Sequence, residues 1–149
     1  LLTSDPTISA IGDCASHPNR YGAGMTRLES VQNAVDQGKC VAARLTGADA
    51  RYDSLPWFWS HQGKAKLQIA GLATGADDFV TRGDPEEGRF SVFVYRRDQL
   101  IAVESVNMPA DHMASRRILA GGVTVSREAA ADPATELRSL MPKPANPRA

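Results

Sequence analysis

Residues 79–106 read FVTRGDPEEGRFSVFVYRRDQLIAVESV. Three runs rich in β-branched and aromatic residues, FVTRG (79–83), RFSVFVY (89–95) and LIAVESV (100–106), are separated only by GDPEEG and RRDQ. Links that short join antiparallel strands, because a parallel pair needs a crossover of a dozen residues or more. Just upstream, KAKLQIAG (64–71) alternates, with Ala65, Leu67 and Ile69 on one side and Lys64, Lys66 and Gln68 on the other. That period of two predicts a half-buried strand. Downstream, Asn107 with Pro109 predicts a helix start, running through ADHMASRRILA to Gly121-Gly122. Asp132-Pro133 repeats the device before ATELRSLM. Residues 51–141 are therefore expected to form an α+β unit, an antiparallel sheet with two covering helices. The proline-rich stretch 142–149 is expected to be a disordered tail.

The other side of this unit has a different character. TISAI (7–11) predicts a short strand that ends at Gly12-Asp13, and SHPNRYGAG (16–24) reads as a turn. Val31, Ala34, Val35, Gly38, Val41, Ala42 and Leu45 recur at spacings of three and four, with Ser30 as N-cap and Gly47 as the stop. One strand and one long helix cannot close a sheet, so residues 1–50 read as the end of a larger domain.

Composition narrows the function classes. The 149 residues are 42% hydrophobic and 23% charged, with 17 basic and 17 acidic side chains. Zero net charge argues against a general nucleic-acid binder, and no apolar run approaches the length of a membrane helix. Cys14 and Cys40 are too few for a disulfide scaffold and fit a reducing compartment, so a cytoplasmic location is expected. Neither cysteine belongs to a C-x-x-C pair, and His17, His61 and His112 stand far apart, so no metal site is expected. No G-x-S-x-G elbow and no G-x-x-x-x-G-K-[ST] loop is present.

A carboxylate at a strand tip, such as Asp13, can accept hydrogen bonds from ribose or ribityl hydroxyls, and Gly12 lets a ligand approach the backbone. The free N–H groups opening the helix after Ser30 attract negative charge or a carbonyl oxygen. Trp57-Phe58-Trp59 serves either as a domain-junction anchor or as a planar wall against a planar cofactor. Lys64, Lys66, Arg89, Arg96, Arg97, Arg116 and Arg117 form either a basic docking face or a solvated surface balanced by Asp84, Glu86 and Glu87.

Taken in order, TSDPTISAIGDCA, RLESVQNAVDQGKCVAARLTG and YDSLPWFWSHQGKAKLQIAGL resemble the C-terminal part of the FAD-dependent NAD(P)H:ferredoxin reductases, the family of the putidaredoxin, rubredoxin and dioxygenase ferredoxin reductases. SVFVY, VESVN and Arg116-Arg117 fit the same pattern, so the resemblance covers residues 3–125. It implies the end of a Rossmann-like FAD domain, strand plus long helix, followed by a reductase C-terminal domain. It implies that Asp13, with Gly12 beside it, binds the FAD ribityl chain. It implies that the Val31 N–H, with Glu29, Ser30 and Gln32 around it, faces the pyrimidine edge of the flavin, and that Trp57 and Trp59 shield the ring. The reaction implied is hydride transfer from NAD(P)H to FAD, then single electrons to an iron–sulfur ferredoxin or a rubredoxin. Two departures stand out. His61 occupies a position where the family carries aspartate, and no G-x-G-x-x-G occurs anywhere. The chain is therefore expected to be a fragment, inactive alone, with self-association through the uncovered helix face. The alternative is a non-catalytic interaction module that docks an acidic redox protein.

Overall fold

The computed structural model describes residues 1–22 and 24–142. The expected tail at 142–149 lies outside the described residues apart from Pro142. The chain divides into two compact units, Leu1–Phe58 and the part from Trp59 onward.

The first unit differs from expectation at its start. Residues 7–11 are not a strand; they carry a single antiparallel bridge, Leu2 to Ser9. Strand geometry needs a neighbour for its backbone groups, and here residues 1–3 fold back on 8–10. Thr3 N–H donates to the Ile8 carbonyl at 3.0 Å, and the Asp5 carboxylate takes the Thr7 N–H at the bend. A 3-10 turn, Gly12–Cys14, follows. The stretch read as a loop is a hairpin instead, β1 (Ser16–Asn19) against β2 (Gly24–Arg27). The long helix α1 (Val31–Leu45) has the expected span, and the Ser30 side chain accepts the Asn33 N–H as its cap. Its packing is inverted relative to the apolar stripe. Asn33 and Gln37 are its buried residues, while Val31, Val35 and Leu45 are 63%, 45% and 74% exposed.

The second unit is a five-stranded sheet of β3 (Trp57–Gln62), β4 (Ala65–Gly71), β5 (Asp78–Asp84), β6 (Arg89–Arg96) and β7 (Gln99–Val106). The strand order is β3-β4-β7-β6-β5, and the β4–β7, β6–β7 and β5–β6 pairs are antiparallel. The tight link before β7 turns through Arg97 and Asp98, both at positive φ, as a two-residue hairpin requires. Gly71 sits at φ +83, and a Cβ there would lie 2.2 Å from the Ile101 carbonyl oxygen, so this close approach of β4 to β7 demands glycine.

Register explains which face is covered. Val80, Phe93, Val103 and Ala70 stand opposite one another across four strands, and so do Arg82, Ser91, Ser105 and Gln68. The first row is an apolar core; the second is polar yet buried. Gln68, expected on a solvated face, is under cover because α2 (Pro109–Ala120) packs on β4 and β7. Asp111 of α2 supplies the chemistry that allows this. Its carboxylate lies 3.3 Å from Arg82 Nε and 3.0 Å from Ser91 Oγ, and Ser91 Oγ is 2.9 Å from Ser105 Oγ. A carboxylate only accepts, so Ser91 donates to Asp111 and accepts from Ser105.

Arg82 also explains the chain beyond α2. Ser126 caps a short helix α3 (Arg127–Ala131) that the sequence did not suggest, and ATELRSLM forms only a 3-10 turn at Leu137–Leu140. The Arg82 guanidinium takes the carbonyls of Asp132, Pro133 and Thr135. The Asp132 carbonyl also accepts the Thr135 N–H at 3.0 Å, so this stretch closes as a turn pinned by Arg82 rather than as a helix. Asn107, expected to cap α2, instead accepts the Lys66 N–H and donates to the Gly88 carbonyl, and Met108 stands at the cap.

His112, 1% exposed on α2, has its pKa pushed down to about 4, chiefly by burial and then by the positive charges of Arg116 and Lys66. The folded state keeps it neutral, whereas the unfolded chain binds a proton below about pH 6.5. Stability of this unit should therefore drain away as pH falls from 6.5 towards 4, by about 3 kcal/mol. Urea unfolding across that range should show a steeper loss for the native sequence than for His112→Leu; parallel profiles would contradict the assignment.

Candidate functional site

Six of the eight expected site residues gather where the 3-10 turn meets the opening of α1. Gly12 adopts φ +77, and a Cβ on it would lie 3.7 Å from Ala34 Cβ, so the turn rests directly on the helix. Its N–H donates to Gln37 Oε1 at 2.7 Å, a buried bond. Asp13 follows at the surface. Arg27, at the end of β2, donates to the Asp13 carbonyl at 3.2 Å and pairs with the Glu29 carboxylate, so one guanidinium links the turn to the approach to the helix. Ser30 caps the helix, Val31 is exposed at its first position, and Gln32 donates to Asp36 one turn on. The N–H groups of Val31 and Gln32 have no acceptor within the helix and remain able to serve an outside oxygen. Trp57 and Trp59 are carried separately, two residues apart on β3 and hence on one face of that strand. His61 is exposed on the same strand.

A buried polar network holds this arrangement, and its members were not singled out as site residues. Gln37 Oε1 must face the Gly12 N–H, which puts Gln37 Nε2 toward Asn33 Oδ1 at 3.0 Å and His17 Nδ1 at 3.2 Å. His17 Nδ1 is therefore an acceptor, while Asn19 Nδ2 lies 3.4 Å from its Nε2. Burial pushes the His17 pKa down and favours the neutral ring. Asn33 Oδ1 also accepts from the Tyr52 hydroxyl at 3.0 Å, and Asn33 Nδ2 donates to the Leu28 carbonyl at 2.9 Å. The Tyr52 phenol is pushed up to about 12, first by burial and then by Asp36 and Cys40, so it remains a donor. The only sequence signal for this network is Asn33 and Gln37, two amides four residues apart on the face of a helix.

The basic residues do not share one surface. Arg89 and Arg96 begin and end β6, about 23 Å apart at the usual strand rise. Lys64 and Lys66 flank the β3–β4 turn, whereas Arg96 reaches Thr74 and Arg97 abuts Asp77 at the other end of the sheet. Among the described residues no three His, Cys, Asp or Glu side chains gather as a metal site, and no helix is long and apolar enough to cross a membrane.

A five-stranded antiparallel sheet with helices packed on it, preceded in the chain by a glycine-aspartate turn docked on a capped helix, makes this an α+β protein. A family model described as Reductase C-terminal matches residues 57–141, and the chain belongs to that family. It is 54% identical over 138 residues to rhodocoxin reductase from Rhodococcus erythropolis, an alignment covering 93% of this chain and 32% of that protein. It is 44% identical to the 5,5'-dehydrodivanillate O-demethylase ferredoxin reductase subunit of a Sphingobium species, covering 93% of this chain and 34% of that protein. Among solved structures, the ferredoxin reductase for the CYP199A2 system from Rhodopseudomonas palustris matches with a TM-score of 0.90 at 52% identity, over 95% of this chain and 35% of that one. The covalent putidaredoxin reductase–putidaredoxin complex matches with a TM-score of 0.86 at 36% identity, over 92% and 33%. The chain thus spans about a third of the length of the relatives it matches.

Ser30 fixes where α1 begins, so Ser30→Ala should lower the stability of the first unit by about 1 kcal/mol. Hydrogen exchange of the α1 amides should report the loss locally, with the β6 and β7 amides unchanged; equal effects in both units would contradict a local cap.

Proposed function

We propose that this chain is the C-terminal part of an FAD-dependent NAD(P)H:ferredoxin-type reductase. In this reading residues 1–50 close the FAD-binding domain and residues 51–141 form the reductase C-terminal domain. The observation that carries it is the Gly12–Asp13 turn docked against the opening of α1, in a chain whose relatives are named as ferredoxin reductases. The residues present fit the cofactor. Asp13 is exposed, and among the described residues its carboxylate accepts no hydrogen bond, so it is able to take those of ribityl hydroxyls. The N–H of Val31 and its neighbour Gln32, at the positive end of α1, suit the flavin's pyrimidine carbonyl. Ser30 holds that turn in place, and Arg27 ties Glu29 beside it. Shielding of the ring falls to Trp57 and Trp59 on the family resemblance alone.

FAD, when bound, accepts an electron pair from the nicotinamide and delivers electrons singly to an iron–sulfur ferredoxin or a rubredoxin. The chain's part is to bind and orient the isoalloxazine and to place a fixed dipole where negative charge develops on reduction. The free thiols of Cys14 and Cys40 support a cytoplasmic setting. The exposed Val31, Val35 and Leu45 support self-association of the chain when it is isolated. The alternative, a module docking an acidic partner without flavin chemistry, loses Arg96 and Arg97 from its docking face, because they stand at the opposite end of the sheet from Lys64, Lys66 and Arg89.

Proline is tolerated at the first helical position but has no N–H, so Val31→Pro tests the dipole contact without breaking α1. In the complete FAD-loaded protein, Val31→Pro should keep the native circular dichroism, retain NAD(P)H-dependent reduction of a ferredoxin at a reduced rate, and lower the flavin midpoint potential by about 30–60 mV, the equivalent of one charge-assisted hydrogen bond. An unchanged potential would remove Val31 from the flavin. A protein that neither holds FAD nor reduces a ferredoxin would overturn the reading as a whole.

A further inference from the structure

The Gly12–Asp13 turn is short and has few ties. Its 3-10 helix closes on one internal bond, Ala15 N–H to the Gly12 carbonyl, and the Arg27 contact to Asp13 lies at the surface. Among the described residues its one buried hydrogen-bond anchor is Gln37, 25 residues further on, whose carbonyl oxygen takes the Gly12 N–H at 2.7 Å. Gln37 is fully buried, and each of its polar atoms is used. The oxygen serves Gly12, while the amide nitrogen donates to Asn33 Oδ1 and His17 Nδ1. Those two partners are fixed in turn. Asn33 is held by Leu28, Ser30 and Tyr52, and the His17 ring stands edge-on to Tyr52 with centroids 5.1 Å apart. Segments from the turn, β1, α1 and the stretch around Tyr52 therefore converge on a single side-chain amide.

A buried glutamine that only filled space would be replaceable by an apolar side chain of similar volume, because hydrophobic swaps that conserve volume are well tolerated. Gln37 is not of that kind. The group it satisfies is the backbone N–H immediately before Asp13, and no apolar side chain can receive it. We propose that Gln37 is a positioning residue: by gripping the Gly12 N–H it sets where the Asp13 carboxylate stands, and through it the ribityl contact of the flavin. The inference rests on the flavin reading above for its second half and on this hydrogen bond alone for its first.

Gln37→Met removes the acceptor at nearly constant volume, and Gln37→Glu keeps an oxygen toward Gly12. In the 149-residue chain, Gln37→Met should speed hydrogen exchange of the Gly12 amide by about tenfold or more while the β6 amides are unmoved. Gln37→Glu, which keeps an acceptor for the Gly12 N–H but sets its second oxygen against the Asn33 Oδ1 acceptor, should restore only part of the protection. In the complete FAD-binding protein, Gln37→Met and Asp13→Asn should each weaken FAD binding by about tenfold, and the double variant by little more than either alone. A merely structural glutamine would give the roughly hundredfold product of independent effects. That product, or an unchanged Gly12 exchange rate in Gln37→Met, would overturn the proposal. Failure of the unsubstituted protein to bind FAD would instead overturn the flavin reading, and the Gly12 exchange rate would still decide whether Gln37 holds the turn.

Discussion

A side-chain amide cut off from water must find partners for its oxygen and its nitrogen, or its burial is destabilising by about 1–3 kcal/mol for each group left unpaired. Gln37 meets that constraint by facing in two directions, to the Gly12 N–H on one side and to Asn33 and His17 on the other. The position of the 3-10 turn and the placement of His17 and Asn33 around it all follow from how that amide is turned. The helix that carries Gln37 has Asn33 and Gln37 inside and Val31 and Val35 outside, an arrangement that the buried network stabilises.

The sheet unit solves the same problem with charge. Arg82 and Asp111, with side chains 7% and 10% exposed, lie beneath α2, and each needs the other. The guanidinium has donors left after that pairing, and they go to the carbonyls of Asp132, Pro133 and Thr135, fastening the segment after α3 to β5. Beside this polar row runs a row of Val80, Phe93, Val103 and Ala70. One face of the sheet therefore holds both the apolar core and the ion pair that pins its cover.

What could be read in the sequence was what depends on neighbours along the chain. The spacing from Val31 to Leu45 and the Ser30 cap located α1 to the residue, and β6, β7 and the turn between them follow from alternation and link length. What depends on distant partners was not legible. Residues 7–11 have strand composition, but pairing decides strandness, and their backbone is met only by residues 1–3. Asp132-Pro133 has the chemistry of a helix start, but a guanidinium fifty residues away binds the carbonyls of a turn there, a partner the local sequence does not show. The site divides the same way. Gly12, Asp13 and the helix opening follow from motif, whereas Gln37, Asn33, His17 and Tyr52 emerge only when three segments are brought together.

The two halves of the site are thus parts of one rigid corner, with a carboxylate on a glycine turn and a capped helix end joined through a buried amide. In the proposed flavin reading, that corner is what would let residues nearly twenty positions apart meet one ligand. The most direct measurement is an amide correlation spectrum of the isotope-labelled complete protein with and without FAD. The account predicts that Gly12, Asp13, Val31 and Gln32 move together and more than any residue of β5 or β6. Large shifts confined to other segments, with these four amides still, would contradict it.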